Sequence, residues 1–452
     1  MIRKIVNSAA ALGASMFAAT AAWAQDAAEA VGTPIAAATT EAAAAVPNPG
    51  NNAWMMTSTV LVLLMILPGL ALFYGGLTRS KNMLSTMTQI GATAALAMMI
   101  WVMWGYGLAF GPEGNQYISW GKFFLAGITP DSTAATFTDE VISEYVFVSF
   151  QMTFAAITSA LVLGAVVERM KFSAVMVFMT VWLTIVYFPI AHLVWEARGV
   201  FFVMGALDFA GGTVVHINAG VSALVAALML GKRRGYPTEP MPPHSMTLTM
   251  VGTGLLWVGW FGFNAGSALE ANGSAALAMI NTFVATASAG LVWMLTERVM
   301  GHKGSALGLC SGIIAGLVAV TPAAGNSGPF GAIVLGAVAS VVCYFAVSKL
   351  KPALGYDDSL DAFGIHGIGG MVGAIGTAIV FSPMFGGPGG DDFVIGDQLV
   401  TQALAVLATI AISAIGTAIA ITIAKLVTGL RVSHEVEVEG LDIGEHGERA
   451  YN

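Results

Sequence analysis

Asp208-Phe209-Ala210-Gly211-Gly212-Thr213-Val214-Val215-His216 opens a long apolar segment and carries a histidine into it. A second stretch repeats the spacing. Asp358 precedes His366 by eight residues, as Asp208 precedes His216, and His366 begins an apolar run from Gly367 to Phe381. Ionisable side chains inside a membrane span are costly to bury and mark function by default. Taken singly, each histidine reads as well as a structural residue satisfied by a neighbour. Two at matched spacing shift the balance towards function.

The composition sets the class. Of 452 residues, 56% are hydrophobic and 10% charged, too little charge for a soluble chain of this length. Repeated apolar runs of 18 or more residues read as transmembrane helices. The 54 glycines suit close helix packing in lipid. A formal charge of -8 argues against a nucleic-acid partner. Cys310 and Cys343 lie in apolar runs and read as small buried side chains, without disulfide or metal.

At the N-terminus, Arg3 and Lys4, the apolar stretch Ile5 to Ala22, and Ala22-Trp23-Ala24 form a signal peptide over residues 1–24. Residues 25–52, rich in Ala, Thr and Pro, read as a flexible exported tail. Eleven spans are expected after it, near 53–76, 87–110, 145–167, 173–195, 210–230, 247–268, 275–297, 305–321, 329–349, 363–383 and 397–428. Residues 431–452 follow as a cytoplasmic tail.

Charge placement supports the count. On one side lie Arg79, Lys81, Arg169, Lys171, Lys232, Arg233, Arg234, Arg298, Lys303, Lys349 and Lys351, with Lys425, Arg431 and Arg449. The opposite side has Lys122 and Arg198. The positive-inside rule then puts the N-terminus outside and the C-terminus in the cytoplasm. The separation of 150 residues between the paired motifs suggests two five-span repeats. Because five is odd, the halves run in opposite directions through the membrane, and such inverted repeats place sites near the midplane. The eleventh span is left over.

Geometry then brings the histidines together. With Asp208 as N-cap, accepting from Ala210 or Gly211, His216 lies about 12 Å inward from the outer face at 1.5 Å per residue. His366 lies about 12 Å inward from the cytoplasmic face. Together they cover most of a hydrocarbon core about 30 Å thick, so the two imidazoles meet near its centre. Asp357, Asp358 and Asp361 are candidates to cap the span bearing His366. Phe263 and Ser267, at i, i+4, share a helix face near the outer side. Phe154 and Trp195 reach the same level. Aromatic rings with a hydroxyl can hold a small cation. The plain alternatives are packing for the phenylalanines, a helix-carbonyl bond for Ser267, an interfacial belt position for Trp195 and a simple cap for Asp208. His192 reads as structural.

These residues resemble the ammonium transporter family, the Amt/Mep/Rh channels, and most closely its bacterial members. The motifs are Leu72-Phe73-Tyr74-Gly75-Gly76-Leu77, Asp208 to Asn218, Trp260 to Ser267, Asp361 to Gly367 and Gly429-Leu430-Arg431-Val432. The resemblance implies an all-α integral membrane protein of eleven helices, a homotrimer with a pore in each subunit, in the bacterial inner membrane. It implies that Trp195, Phe154 and Ser267 recruit ammonium, with Asp208 as the outer acidic residue. Phe154 and Phe263 would form a gate, and His216 and His366 the twin pore histidines. Asp361 and Arg431 would belong to a cytoplasmic face that receives a PII-type signal protein. Glu196-Ala197-Arg198 departs from the family pattern, where glycines are common. No G-x-S-x-G and no G-x-x-x-x-G-K-[ST] string occurs, so neither hydrolase chemistry nor ATP-driven pumping is expected, and no cofactor. The implied activity is ammonium transport, ammonium giving up its proton and crossing as ammonia. The alternative is an ammonium sensor acting through a PII-type partner.

Overall fold

The computed structural model describes residues 46–451. The expected signal peptide and most of the exported tail lie outside the described residues. Eleven helices are long and apolar enough to cross a membrane. They are α1 Pro49–Leu77, α2 Ser80–Phe110, α3 Glu144–Ala165, α4 Phe172–Val203, α5 Gly212–Leu230, α6 Met246–Gly266, α7 Gly273–Val299, α8 Ala306–Ala323, α9 Pro329–Leu354, α10 Phe363–Val380 and α11 Ile395–Thr428. This is the multi-pass helical membrane architecture that the hydropathy predicts.

One boundary moves. Helix α1 begins at Pro49, inside the stretch expected to be flexible up to residue 52. Asn48 explains it: its Oδ1 accepts from the N–H of Gly50 at 2.9 Å and of Asn51 at 3.2 Å, with Pro49 at the first helical position. Ser245, Asn272 and Ser305 cap α6, α7 and α8 in the same way. Two short hairpins, β1 Glu113–Gly114 with β2 Ser119–Trp120 and β3 Thr133–Ala135 with β4 Val141–Ser143, fold the outer loop between α2 and α3.

The two halves meet where α5 crosses α10. A methyl on Gly220 would overlap the backbone of Gly367, and one on Gly370 would lie 3.0 Å from Ile217 N and 3.1 Å from the His216 Cβ. Only glycine allows so close an approach, as small residues do at membrane helix crossings. The turns Gly212–Ile217 and Phe363–Gly367, one in each half, are both wound as π-helix, a distortion that gathers at functional sites.

The C-terminal segment folds into two short helices, α12 His434–Glu439 and α13 Leu441–His446, packed on loops of its own chain. Glu437 and Asp442 are buried there. Asp442 accepts from the N–H groups of Leu84 and Ser85 at the start of α2, at 3.1 and 2.7 Å, which satisfies amides that a helix leaves unpaired.

Candidate functional site

The stretch from Asp208 to His216 turns from an outer loop into α5. Gly211 holds φ +113°, a left-handed conformation that glycine adopts without strain. This folds the chain back on Asp208, whose carboxylate accepts from the N–H of Gly211 at 3.1 Å, Thr213 at 3.2 Å and Val214 at 3.1 Å. Gly211 was an expected donor; Thr213 and Val214 are the others. Burial pushes the Asp208 carboxyl up to about 6, with the backbone amides opposing it. Its carbonyl oxygen accepts from the Trp195 indole at 3.0 Å, so Asp208 also fixes the ring of Trp195.

An outer cavity of about 440 Å³ is lined by Phe154, Trp195, Asp208 and Ser267, which the sequence placed at one level, together with Phe209 and Asn272. The Ser267 hydroxyl donates to the Phe263 carbonyl at 2.8 Å, as the plain reading allowed. That leaves its oxygen lone pairs free to accept from a cationic N–H. Glu196 and Arg198, the departure from the family pattern, face elsewhere. They bond to each other at 3.0 Å, and Arg198 donates to the carbonyls of Gly111 and Pro112, tying down the outer loop. His192 is buried between the carbonyls of Ala109 and Asn115, at 3.1 and 2.8 Å, the structural position expected of it.

Below this cavity the rings close the path. Phe154 stands edge-on to Trp195 at 5.6 Å and stacks on Phe263 at 4.2 Å and 13°. Both phenylalanines are buried. Beneath them a cavity of about 10 Å³ is lined by Met65, Leu70, Phe73, Ile157, Trp260 and both histidines, room for about one water-sized molecule. Phe263 lies 6.0 Å from His216, and His216 stacks on His366 at 5.3 Å.

The histidine Nδ1 atoms are 3.3 Å apart. One must donate and the other accept, so the two rings hold opposite tautomers. Their Nε2 atoms therefore differ: one carries a proton and the other a lone pair. His216 Nε2 is buried with no partner among the described residues, open to a small guest.

Trp260 was not singled out by the sequence reading. It stacks on His216 at 5.4 Å, held by an indole bond to Thr321 Oγ1 at 3.0 Å. Its spacing of three from Phe263, on the same helix face, was the available signal.

An inner cavity of about 450 Å³ opens below His366, lined by Tyr74, Tyr236, Lys351 and Asp361 among others. Asp358 caps α10, accepting from Phe363 N at 2.7 Å. Asp357, another candidate cap, instead pairs with Arg233 at 2.8 Å, and Arg233 also reaches Glu168 at 2.8 Å. Burial opposes ionisation of Glu168, but Arg233 and Arg79 outweigh it and hold the carboxyl down at about 2. Arg233 thus turns inward from the basic run Lys232-Arg233-Arg234. Its neighbour Arg234 meets the tail, donating its N–H to Glu437 at 2.8 Å, while Arg431 pairs with Glu437 at 2.8 Å.

A family model described as the Ammonium Transporter Family matches residues 53–451. An ammonium transporter of Aquifex aeolicus is 49% identical over 410 residues, 89% of this chain and 93% of that protein. One of Bacillus subtilis is 44% identical, covering 89% of this chain and 98% of the relative. Among solved structures, a protein described as a sensor Amt protein superposes with a TM-score of 0.80 at 29% identity, over 88% of this chain and 98% of its own. Candida albicans Mep2 gives a TM-score of 0.78 at 35% identity, over 86% and 87%.

Proposed function

The chain belongs to the ammonium transporter family, and from that premise we propose that it binds ammonium in the outer cavity, removes its proton at the phenylalanine gate and conducts ammonia past the twin histidines. One observation carries the reading. The path narrows to an apolar space for about one small molecule, and its polar side chains are the two imidazoles hydrogen-bonded to each other.

A bare ammonium ion in that space would cost tens of kcal/mol by a Born argument. Ammonia escapes this cost because it is neutral. Potassium, of similar size, has no proton to lose and is rejected. The Trp195 and Phe154 faces and the Ser267 oxygen offer the cation–π and hydrogen-bond contacts a small cation needs. Asp208 supplies negative charge at the entrance and holds Trp195 in place. The imidazole pair, one Nε2 a donor and the other an acceptor, suits a guest that both gives and takes hydrogen bonds, and histidine can relay a proton.

The protein acts in this reading as a homotrimer in the bacterial inner membrane, its N-terminus periplasmic and its C-terminus cytoplasmic, with a PII-type signal protein at the cytoplasmic face near Asp361 and Arg431. A sensing role is the second reading, favoured by the likeness to a protein described as a sensor Amt protein and by the folded tail. Current recording on reconstituted protein after an ammonium pulse tests the proposal. Selective current or uptake is expected from the intact chain, and loss of flux or of selectivity from His216→Ala and His366→Ala. Normal selective uptake by a folded double variant would sink the histidine path. A silent but well-folded intact protein would favour sensing.

A further inference from the structure

The inner mouth of the pore already holds an ammonium group, that of the chain's own Lys351. Its Nζ lies 2.6 Å from Asp361 Oδ1, at the cytoplasmic end of α9. Both side chains line the cavity below His366. Asp361 is fixed in the left-handed region at φ +60°, and its carbonyl accepts from Ile365 N at 3.0 Å, one residue before His366. Three residues earlier, Asp358 is fully buried. One of its oxygens caps α10, while Oδ1 has no hydrogen-bond partner among the described residues. A buried carboxylate oxygen without a donor is costly, but Asp358 does not line the cavity, whereas Asp361 does.

Lys351 is chemically the product on a tether. Ammonia that leaves past His366 takes a proton from water in this cavity, releasing hydroxide to the bulk, and becomes an ion with the same kind of N–H donors as the lysine head group. Left alone, Asp361 would hold that ion and slow its release. A tethered competitor is present at high effective concentration and is not consumed.

We propose that Lys351 is a tethered counter-ion that competes with product ammonium for Asp361 and clears the inner mouth, yielding only when cytoplasmic ammonium is abundant. The proposal rests on the reading of the pore as an ammonium path and adds a residue that sets release on the cytoplasmic side. The surrounding cavity agrees with competition of this kind. Arg233 lines it too but is committed to Glu168 and Asp357, so Lys351 is the cation paired with Asp361.

The test is acetylation of the full-length purified protein with a water-soluble N-hydroxysuccinimide acetate. The labelling of Lys351 is measured by mass spectrometry relative to Lys349, which is exposed on the same helix end. The ratio cancels any reagent consumed by ammonia. Ammonium chloride should raise the Lys351 to Lys349 ratio about twofold or more over sodium chloride of equal ionic strength, because the part-buried pair still reaches the cavity, where a free ion can displace it. In Asp361→Asn the ratio should start high and lose its response to ammonium. In vesicles, Lys351→Met should make influx more sensitive to internal ammonium, by roughly two- to fivefold. A ratio indifferent to ammonium, or one that rises equally with sodium, overturns the proposal. The labelling is an equilibrium readout, so a chain that conducts nothing in the pulse assay still answers it, and the two failures are told apart.

Discussion

Gly220→Ala tests whether the helix crossing, rather than the mere presence of two histidines, makes the pore. A Cβ at Gly220 falls on the backbone of Gly367. To recover ordinary van der Waals separation, α5 and α10 must part by roughly 1 Å. The Nδ1 atoms start 3.3 Å apart, so that movement takes them past hydrogen-bond range. The lost bond is worth about 0.5–1.5 kcal/mol, and the overpacking costs about 1–3 kcal/mol. The variant should still assemble, with a lowered thermal midpoint, while selective ammonium current falls although both imidazoles remain. Gly254→Ala, where an added Cβ meets nothing within 4 Å, is the control and should keep its current and its stability. Ammonium-pulse currents from equal amounts of reconstituted protein, with the melting of each variant, decide the matter. A folded Gly220→Ala protein with the intact chain's flux and selectivity would refute the reasoning.

Three further outcomes are expected. The Asp208 carboxyl, raised to about 6 by burial, is charged above that pH and neutral below it. Ammonium-pulse current should therefore fall as external pH drops through about 6, and Asp208→Asn should be weak at every pH, whereas a role limited to capping would leave Asn active with a flat profile. Arg233→Met strands Asp357 as a buried charge and leaves Glu168 with Arg79 alone at 3.1 Å, and should cost about 3–5 kcal/mol of stability, read as a large fall in the thermal midpoint. In the intact chain the Glu168 contribution is fully present above the ordinary carboxylate range and fades as pH falls towards about 2. Deleting residues 431–452 removes α12, α13 and the caps that Asp442 places on α2. It should weaken capture of a PII-type protein from nitrogen-shocked membranes, and equal capture by full-length and shortened chains would count against the tail's part in docking.

The sequence by itself determined what depends on neighbours along the chain. Hydropathy marks each span because burying a peptide segment in lipid demands about twenty apolar residues. The matched motifs 150 residues apart implied halves of opposite direction, and opposite direction, with 1.5 Å per residue, put His216 and His366 at one depth. The distance of 3.3 Å between them bears that inference out. The level shared by Phe154, Trp195 and Ser267 followed from the same counting. Only the tertiary structure decided which side chains touch across the bundle. Glu168, Arg233 and Asp357 are separated by 65 and 124 residues, and nothing in their local sequence distinguishes an inward arginine from the outward ones beside it. Trp260 on His216 and the packed tail on α2 depend likewise on where helices cross. Depth is encoded locally, because each residue's transfer into lipid has its own cost. Lateral partnership is not, because it is the outcome of packing all eleven helices at once, and glycines such as Gly220 show their role only once a second backbone lies against them.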